Sequence, residues 1–136
     1  MMDLSPDKVA QVIVRAREID AKVGAWSEHD RSHPGEGDGD AVLEAMRNDP
    51  ARRALINFIT EMNRDELSQL VALMWIGRGS FDTDEWDEAV QTAREEHTGA
   101  AGTARYLLGV PMLADFLEEG LEKMGISVED AEKDVM

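Results

Sequence analysis

The residues best suited to binding a metal ion are the three histidines, His29, His33 and His97. His29 and His33 are four residues apart, a spacing that would place both imidazoles on one face of a helix. Pro34 and Gly35 follow directly and argue against a helix there, whereas His97 ends a distant predicted helix. The chain has no cysteine and no Glu-x-x-His pair of the kind that binds di-iron centres. The sequence therefore predicts no metal and no cofactor.

The acidic run over residues 82–87 has only a superficial likeness to a calcium-binding loop. Such a loop needs a ligand at its fifth position and a glycine at its sixth, but Trp86 and Asp87 occupy those places. Asp82 or Thr83 is better interpreted as the cap of a helix, because carboxylates in a first turn stabilise the positive end of the helix dipole.

Three motifs that mark common enzymes are missing from the sequence. They are the phosphate-binding glycine loop with its lysine, the dinucleotide-binding fingerprint and the nucleophile elbow. Carboxylate pairs such as Glu118 and Glu119 are adjacent in sequence, so they do not face one another on a helix. The sequence favours a non-enzymatic role without excluding an enzyme.

Arg78 is the residue whose position best suggests a ligand site or a structural hub. It follows the most apolar run of the chain and lies between Gly77 and Gly79, where we expect the backbone to turn sharply. Its guanidinium could bond the carbonyl groups that end its own helix together with a carboxylate, for which Asp82 and Asp115 are the candidates. Two interpretations stay open, a structural joint and an anion-binding site.

Helical periodicity covers most of the chain. Apolar residues recur at spacings of three and four, with no useful strand-like alternation, which predicts an all-α, single-domain bundle of about six to eight helices. The predicted helices cover about 6–23, 40–47, 50–62, 64–76, 83–97, 100–108 and 112–124, with a short polar helix after Ser127. The helix over 64–76 becomes apolar nearly all round and is therefore the predicted central element.

The first segment, residues 1–26, contains one helix with an apolar stripe. The stripe consists of Val9, Val12, Ile13, Ala16, Ile19 and Val23. Such a stripe must be buried, so the helix either folds back on the rest of the chain or forms the interface of a homodimer. Residues 27–40 contain no aliphatic or aromatic side chain, which predicts a flexible, acidic, glycine-rich loop. Residues 41–136 are the predicted helical core domain.

The charge balance limits the classes of partner. Acidic residues outnumber basic ones 29 to 14, for a formal net charge of −15. Nucleic acids and anionic membranes would repel such a surface, so neither is a predicted partner. The first residues lack a secretory signal and no apolar stretch is long enough to cross a bilayer, which predicts a cytoplasmic protein.

Two motifs resemble a known family. They are LVALMWIGRG at residues 70–79, followed by Phe81 and Trp86, and YLLGVPMLADFLEEGL at residues 106–121. Together they resemble the bacterial domains of unknown function catalogued under number 3775. The resemblance spans about Leu55 to Ile126 and leaves residues 4–39 outside. It implies a small helical bacterial domain and no assigned activity, so it identifies no catalytic residue.

The sequence thus favours a non-enzymatic protein-interaction or adaptor module that acts through helix surfaces, either as a homodimer or with another protein. The alternative is a small-molecule or anion-binding domain centred on Arg78.

Overall fold

The computed structural model describes residues 4–32, 49–97 and 99–127, and of residues 20–32 only the backbone. All regular secondary structure in these ranges is helical, which confirms the predicted all-α class. The six helices described are α1 (Pro6–Ser32), α2 (Pro50–Thr60), α3 (Arg64–Arg78), α4 (Trp86–Glu96), α5 (Ala100–Leu108) and α6 (Leu113–Lys123), with a 3₁₀ turn at Thr83–Glu85. The predicted helix over 40–47, the polar helix after Ser127 and residues 33–40 of the predicted loop lie outside the described residues.

Side-chain caps begin the central helices where the sequence predicts them. The carboxylate of Asp49 accepts hydrogen bonds from the backbone N–H groups of Ala51 and Arg52 at the start of α2. At the start of α3, the Asn63 side chain accepts from the Glu66 N–H at 2.8 Å, and the Glu66 side chain accepts from the Asn63 N–H at 3.1 Å. This reciprocal capping box satisfies backbone donors that have no partner inside the helix.

The first helix is longer than predicted. It begins at Pro6 as expected but continues through Gly24 to Ser32, so residues 27–32 are helical and the predicted stop at Gly24 is wrong. A glycine inside a helix costs only about 1 kcal/mol, which is too little to end a helix that is otherwise favourable.

The apolar stripe of α1 is buried inside the chain's own core. Val9, Val12 and Ile13 are fully buried and Ala16 is 6% exposed, while Ile19 is partly buried against the same core. The helix packs against α2 and α6. It therefore folds back on the rest of the chain, which is the first of the two predicted alternatives, and the described side chains of its stripe are covered within a single copy. The side chain of Val23 lies outside the described part.

Helix α3 is the centre of the bundle, as predicted. Every residue from Leu67 to Ile76 is buried, because α6 and α4 pack along it and α5 contacts it as well. The apolar side chains buried on α1 to α6 form one hydrophobic core. No helix among the described residues is long and apolar enough to cross a membrane.

Two glycines allow α3 and α6 to approach closely. A Cβ atom at Gly77 would lie 1.7 Å from the carbonyl oxygen of Phe116, and one at Gly120 would lie 2.4 Å from the carbonyl oxygen of Leu73. Both distances are far inside van der Waals contact, so neither position accommodates even alanine without moving a backbone. Gly77 therefore belongs to the packing of α3, and the expectation that it turns the chain is wrong.

The turn after α3 is made by Gly79 alone. Its φ of 92° is in the left-handed region that glycine adopts without steric cost. The Ser80 N–H donates to the Trp75 carbonyl at 2.9 Å and the Gly79 N–H donates to the Ile76 carbonyl at 3.2 Å, the pattern of a Schellman cap.

The turn before α6 contains a residue in an unfavourable conformation. Met112 has a φ of 61°, although only glycine adopts this region freely, and its side chain is 58% exposed. Such a conformation costs on the order of 1–3 kcal/mol and persists because neighbouring packing imposes it. Leu113 and Ala114, buried directly after it, anchor the start of α6 in the core.

We expect Gly77→Ala to lower the free energy of unfolding by about 3 kcal/mol or more, and Gly120→Ala by about 2–3 kcal/mol, because both overpack the core. Gly102→Ala is the matched control. It lies in α5 with no atom within 4 Å of the added Cβ, so it should be neutral or stabilise by up to about 1 kcal/mol. Urea unfolding followed by circular dichroism measures all three. Equal midpoints for Gly77→Ala and Gly102→Ala would contradict the close approach.

Candidate binding groove

A groove of about 450 Å³ lies between the first half of α3 and α4. Polar and charged side chains from both helices make up most of its lining: Asn63, Asp65, Glu66, Gln69, Trp86, Asp87, Val90, Gln91 and Arg94. We call this feature the α3–α4 groove.

Helical spacing brings the α4 side of the groove together. Asp87, Gln91 and Arg94 follow one another at intervals of four and three residues, so they lie on one face of the helix. Trp86 is 3% exposed and Val90 is half-buried. These two apolar side chains attach α4 to the core and leave the polar side chains of the same face at the groove.

Negative charge predominates in the groove. Three carboxylates line it, against the single guanidinium of Arg94, which pairs with Asp65. The Nε of Arg94 is buried and has no hydrogen-bond partner among the residues that the structure describes. Asp87 is exposed and, within the described part of the chain, has neither a hydrogen-bond nor an ion-pair partner.

Glu66 is ion-paired at the edge of the groove. The ammonium of Lys8 on α1 binds its carboxylate, and this hydrogen bond is the main reason that the pKa of Glu66 lies below its ordinary value of 4.5. The backbone N–H of Asn63 stabilises the ionised form further. Glu66 therefore links α1 to the capped start of α3, and it does so as a carboxylate.

Arg78 does not form the predicted joint. Its side chain is exposed, and its Nε–H donates to the Ser80 hydroxyl at 3.1 Å. No carboxylate of the described residues lies within ion-pair distance of it. The carbonyl of Ile76, near the end of the same helix, instead accepts a hydrogen bond from Lys123 at 3.2 Å. A lysine on α6 thus makes the contact that the sequence analysis assigned to Arg78.

The other two members of the predicted hub have separate structural roles. The backbone N–H of Asp82 donates to the Glu85 carboxylate at 2.9 Å, which caps the 3₁₀ turn before α4. Asp115 lies 3.4 Å from the guanidinium of Arg17, which also binds Glu118. The two contacts of Arg17 tie α1 to α6. Arg78 takes part in neither the Asp82 nor the Asp115 contact.

Three carboxylates at the start of α4 lie close together. The oxygens of Asp82, Asp84 and Glu85 are within 4.8 Å of one another. The Glu85 carboxylate already accepts the Asp82 N–H, and acidic groups are favourable at the positive end of a helix without any metal ion. The arrangement is accounted for as a helix start, as the sequence analysis interpreted it.

Comparison with protein families identifies residues 52–126 with the family described as protein of unknown function (DUF3775). The chain belongs to the DUF3775 family. The match runs from the first turn of α2 to the residues just after α6 and contains both motifs that carried the resemblance, which is thereby confirmed. The long α1 lies outside the DUF3775 match. Comparisons with curated proteins and with solved structures yield no match.

The α3–α4 groove is not evident from the sequence. Asp65 and Asp87 are 22 positions apart by their numbers in the chain, and only the packing of α4 on α3 makes them neighbours. A partial signal exists in the polar face of α4, where Asp87, Gln91 and Arg94 recur at helical spacing beside the apolar stripe. That pattern marks an exposed helix face, but it does not identify the helix beside it.

We expect the stabilising effect of Glu66 to depend on pH. A carboxyl whose pKa is lowered by folding stabilises the native state when it is ionised, and it loses this effect as the pH falls through its folded pKa. The difference in unfolding free energy between wild type and Glu66→Gln should therefore shrink as the pH is lowered from neutral to well below 4.5. Urea unfolding at a series of pH values measures it.

Glu119→Gln is the matched control, because Glu119 is exposed and, among the described residues, unpaired. The difference in unfolding free energy between wild type and Glu119→Gln should not shrink in the same way as the pH is lowered. A difference between wild type and Glu66→Gln that stays constant with pH would contradict the assigned ion pair.

Proposed function

We propose that this DUF3775 chain is a non-enzymatic protein-interaction module whose α3–α4 groove accepts a basic segment of a partner protein. The observation that carries the proposal is the carboxylate of Asp87, which lines the groove and is exposed and unpaired among the described residues, while Asp65 and Glu66 pair with Arg94 and Lys8. Arginine and lysine are the side chains that such carboxylates bind most strongly.

The charge of the whole chain supports a basic partner. A net charge of −15 creates a field that attracts positively charged proteins and speeds their association at low salt. The same field disfavours nucleic acids and anionic membranes. We propose that the protein acts in the cytoplasm of a bacterium.

A second copy of the chain is the less favoured partner. The α1 stripe that suggested a homodimer is buried in the chain's own core. Two copies would also bring equal negative charges together, which opposes association at low ionic strength. A different, basic protein fits the surface better.

The proposal is tested with a short lysine- and arginine-rich peptide and its neutral counterpart, in which glutamine and citrulline replace the charged residues. The groove variant is Asp65→Asn with Asp87→Asn. The control is Glu119→Gln with Glu122→Gln, which removes the same number of charges from exposed positions on α6. Binding is followed residue by residue through backbone amide chemical shifts.

We expect the basic peptide to shift the amide signals of residues 63–69 and 86–94 in a saturable manner, and added salt to weaken the effect. The neutral peptide should not bind. The groove variant should bind several-fold more weakly than wild type, whereas the control should bind as wild type does. Equal weakening in both variants, or shifts spread evenly over the acidic surface, would overturn the proposal.

An anion- or small-molecule-binding role for Arg78 is the alternative. Its support is that the guanidinium is exposed and, among the described residues, is bonded through Nε alone, to Ser80. An anion held there would gain charge-assisted hydrogen bonds. The helix end works against this role, because its dipole is negative and favours cations over anions.

The alternative makes its own prediction. Arg78→Ala should lower the free energy of unfolding by less than about 1 kcal/mol, because no buried carboxylate loses its partner. Chemical denaturation measures this, and titration with inorganic phosphate tests for a ligand. Saturable phosphate binding by wild type that is lost in Arg78→Ala would favour the alternative. Phosphate shifts that never saturate, or that persist in Arg78→Ala, would eliminate it.

A further inference from the structure

A second pocket, separate from the α3–α4 groove, lies where α4 ends and α5 begins. Its volume is about 360 Å³, within the range of sites that bind small ligands. The end of α4 and one face of α5 line it: Glu96, His97, Gly99, Gly102, Thr103 and Tyr106.

One wall of this pocket consists of stacked aromatic rings. The rings of His97 and Tyr106 are stacked, with centroids 4.3 Å apart and an angle of 29° between their planes. The buried Trp75 holds this pair from behind, since its Nε1–H donates to the Tyr106 hydroxyl oxygen at 2.9 Å and its ring lies 6.0 Å from that of His97. The rings are therefore fixed in place before any ligand arrives, which lowers the entropic cost of binding.

The electrostatics of the pocket favour a positive charge. Aromatic faces carry negative potential that attracts cations. The pocket lies between the C-terminal end of α4 and the N-terminal end of α5, so a negative and a positive helix pole both face it and the helix dipoles favour neither sign of charge. Glu96 adds a full negative charge, and within the described ranges its carboxylate has no hydrogen-bond or ion-pair partner. Arg105, the basic residue next to Tyr106 in sequence, does not line the pocket.

The pocket is also open at its glycines. Apart from the adjacent residues and the backbone of α5 itself, no atom lies within 4 Å of the place where a Cβ would stand at Gly99 or Gly102. A ligand can therefore approach the backbone of α5 closely on this side. An aromatic wall beside a carboxylate that is unpaired among the described residues suits a flat or extended cation.

We propose that this pocket binds an organic cation, an alkylammonium or guanidinium group, that lies against the His97–Tyr106 stack with Glu96 as its counter-charge. The proposal does not depend on the α3–α4 groove or on its basic partner. The same chemistry could be presented by a lysine or arginine side chain of a protein or by a free amine, and the experiment distinguishes these sources.

The test uses the full chain. The side-chain probes are the N-acetyl methylamides of lysine and arginine, the free-amine probe is n-butylamine, and the neutral control is the N-acetyl methylamide of norleucine. Backbone amide shifts and the indole N–H signal of Trp75 report binding. Tyr106→Phe, which removes the hydrogen-bond acceptor of that indole, identifies its signal.

We expect the cationic probes to shift the amides of residues 96–106 and the Trp75 indole saturably, and the neutral probe to leave them unchanged. Glu96→Gln should weaken binding about threefold, the effect of losing one partly exposed charge contact. His97→Leu, which keeps an apolar side chain but loses the ring, should weaken binding about threefold as well. Glu119→Gln, with the same loss of charge on α6, should leave binding unchanged.

Binding of n-butylamine as tightly as the two amides would identify free amines as the ligand class. Binding of the amides alone would identify a partner's side chain. Equal binding of the norleucine probe, or affinity unchanged in Glu96→Gln and in His97→Leu, would overturn the cation pocket. Glu96 is exposed, whereas His97 is half-buried and stacks on Tyr106, so circular dichroism is used to check that His97→Leu folds.

Discussion

Where α3 crosses α6, the two backbones are so close that neither Gly77 nor Gly120 leaves room for a Cβ atom. Most of the bundle depends on this contact, because α3 is buried over its whole middle and α6 covers one side of it. The close crossing also places Lys123 where it can bond the Ile76 carbonyl near the end of α3. A larger residue at either glycine would separate the helices and weaken the core on both sides of the crossing.

The central helix also explains why the two binding surfaces lie where they do. Its exposed N-terminal turn supplies Asp65 and Glu66 to the α3–α4 groove, while Trp75 near its other end supports the aromatic wall of the second pocket. Ion pairs from α1 to α3 and to α6 attach the first helix to this frame, through Lys8 and Arg17. The DUF3775 match begins after α1, yet that helix completes the core that the matched residues share.

Local sequence signals predicted most of the helices because caps and apolar periodicity act over only a few residues. The capping box at Asn63 and Glu66 is present as predicted, and α5 has the predicted boundaries. The end of α1 was predicted wrongly because Gly24 carries only a weak penalty inside a helix, whereas the continuation to Ser32 depends on the whole helix. The sequence alone does not show whether the small cost of a glycine in a helix exceeds the favourable free energy of continuing that helix.

The sequence by itself determined the all-α class, the central position of α3, the starts of α1, α2, α3 and α5, and the strongly negative charge. Only the tertiary structure decided that Gly77 is a packing residue, that Asp115 pairs with Arg17, and that α1 covers its stripe within the chain. It alone brought His97 onto Tyr106. The physical reason is that helix formation depends on neighbours three or four residues away, whereas packing, ion pairs and pockets join residues that the sequence separates and that only helix crossings bring together.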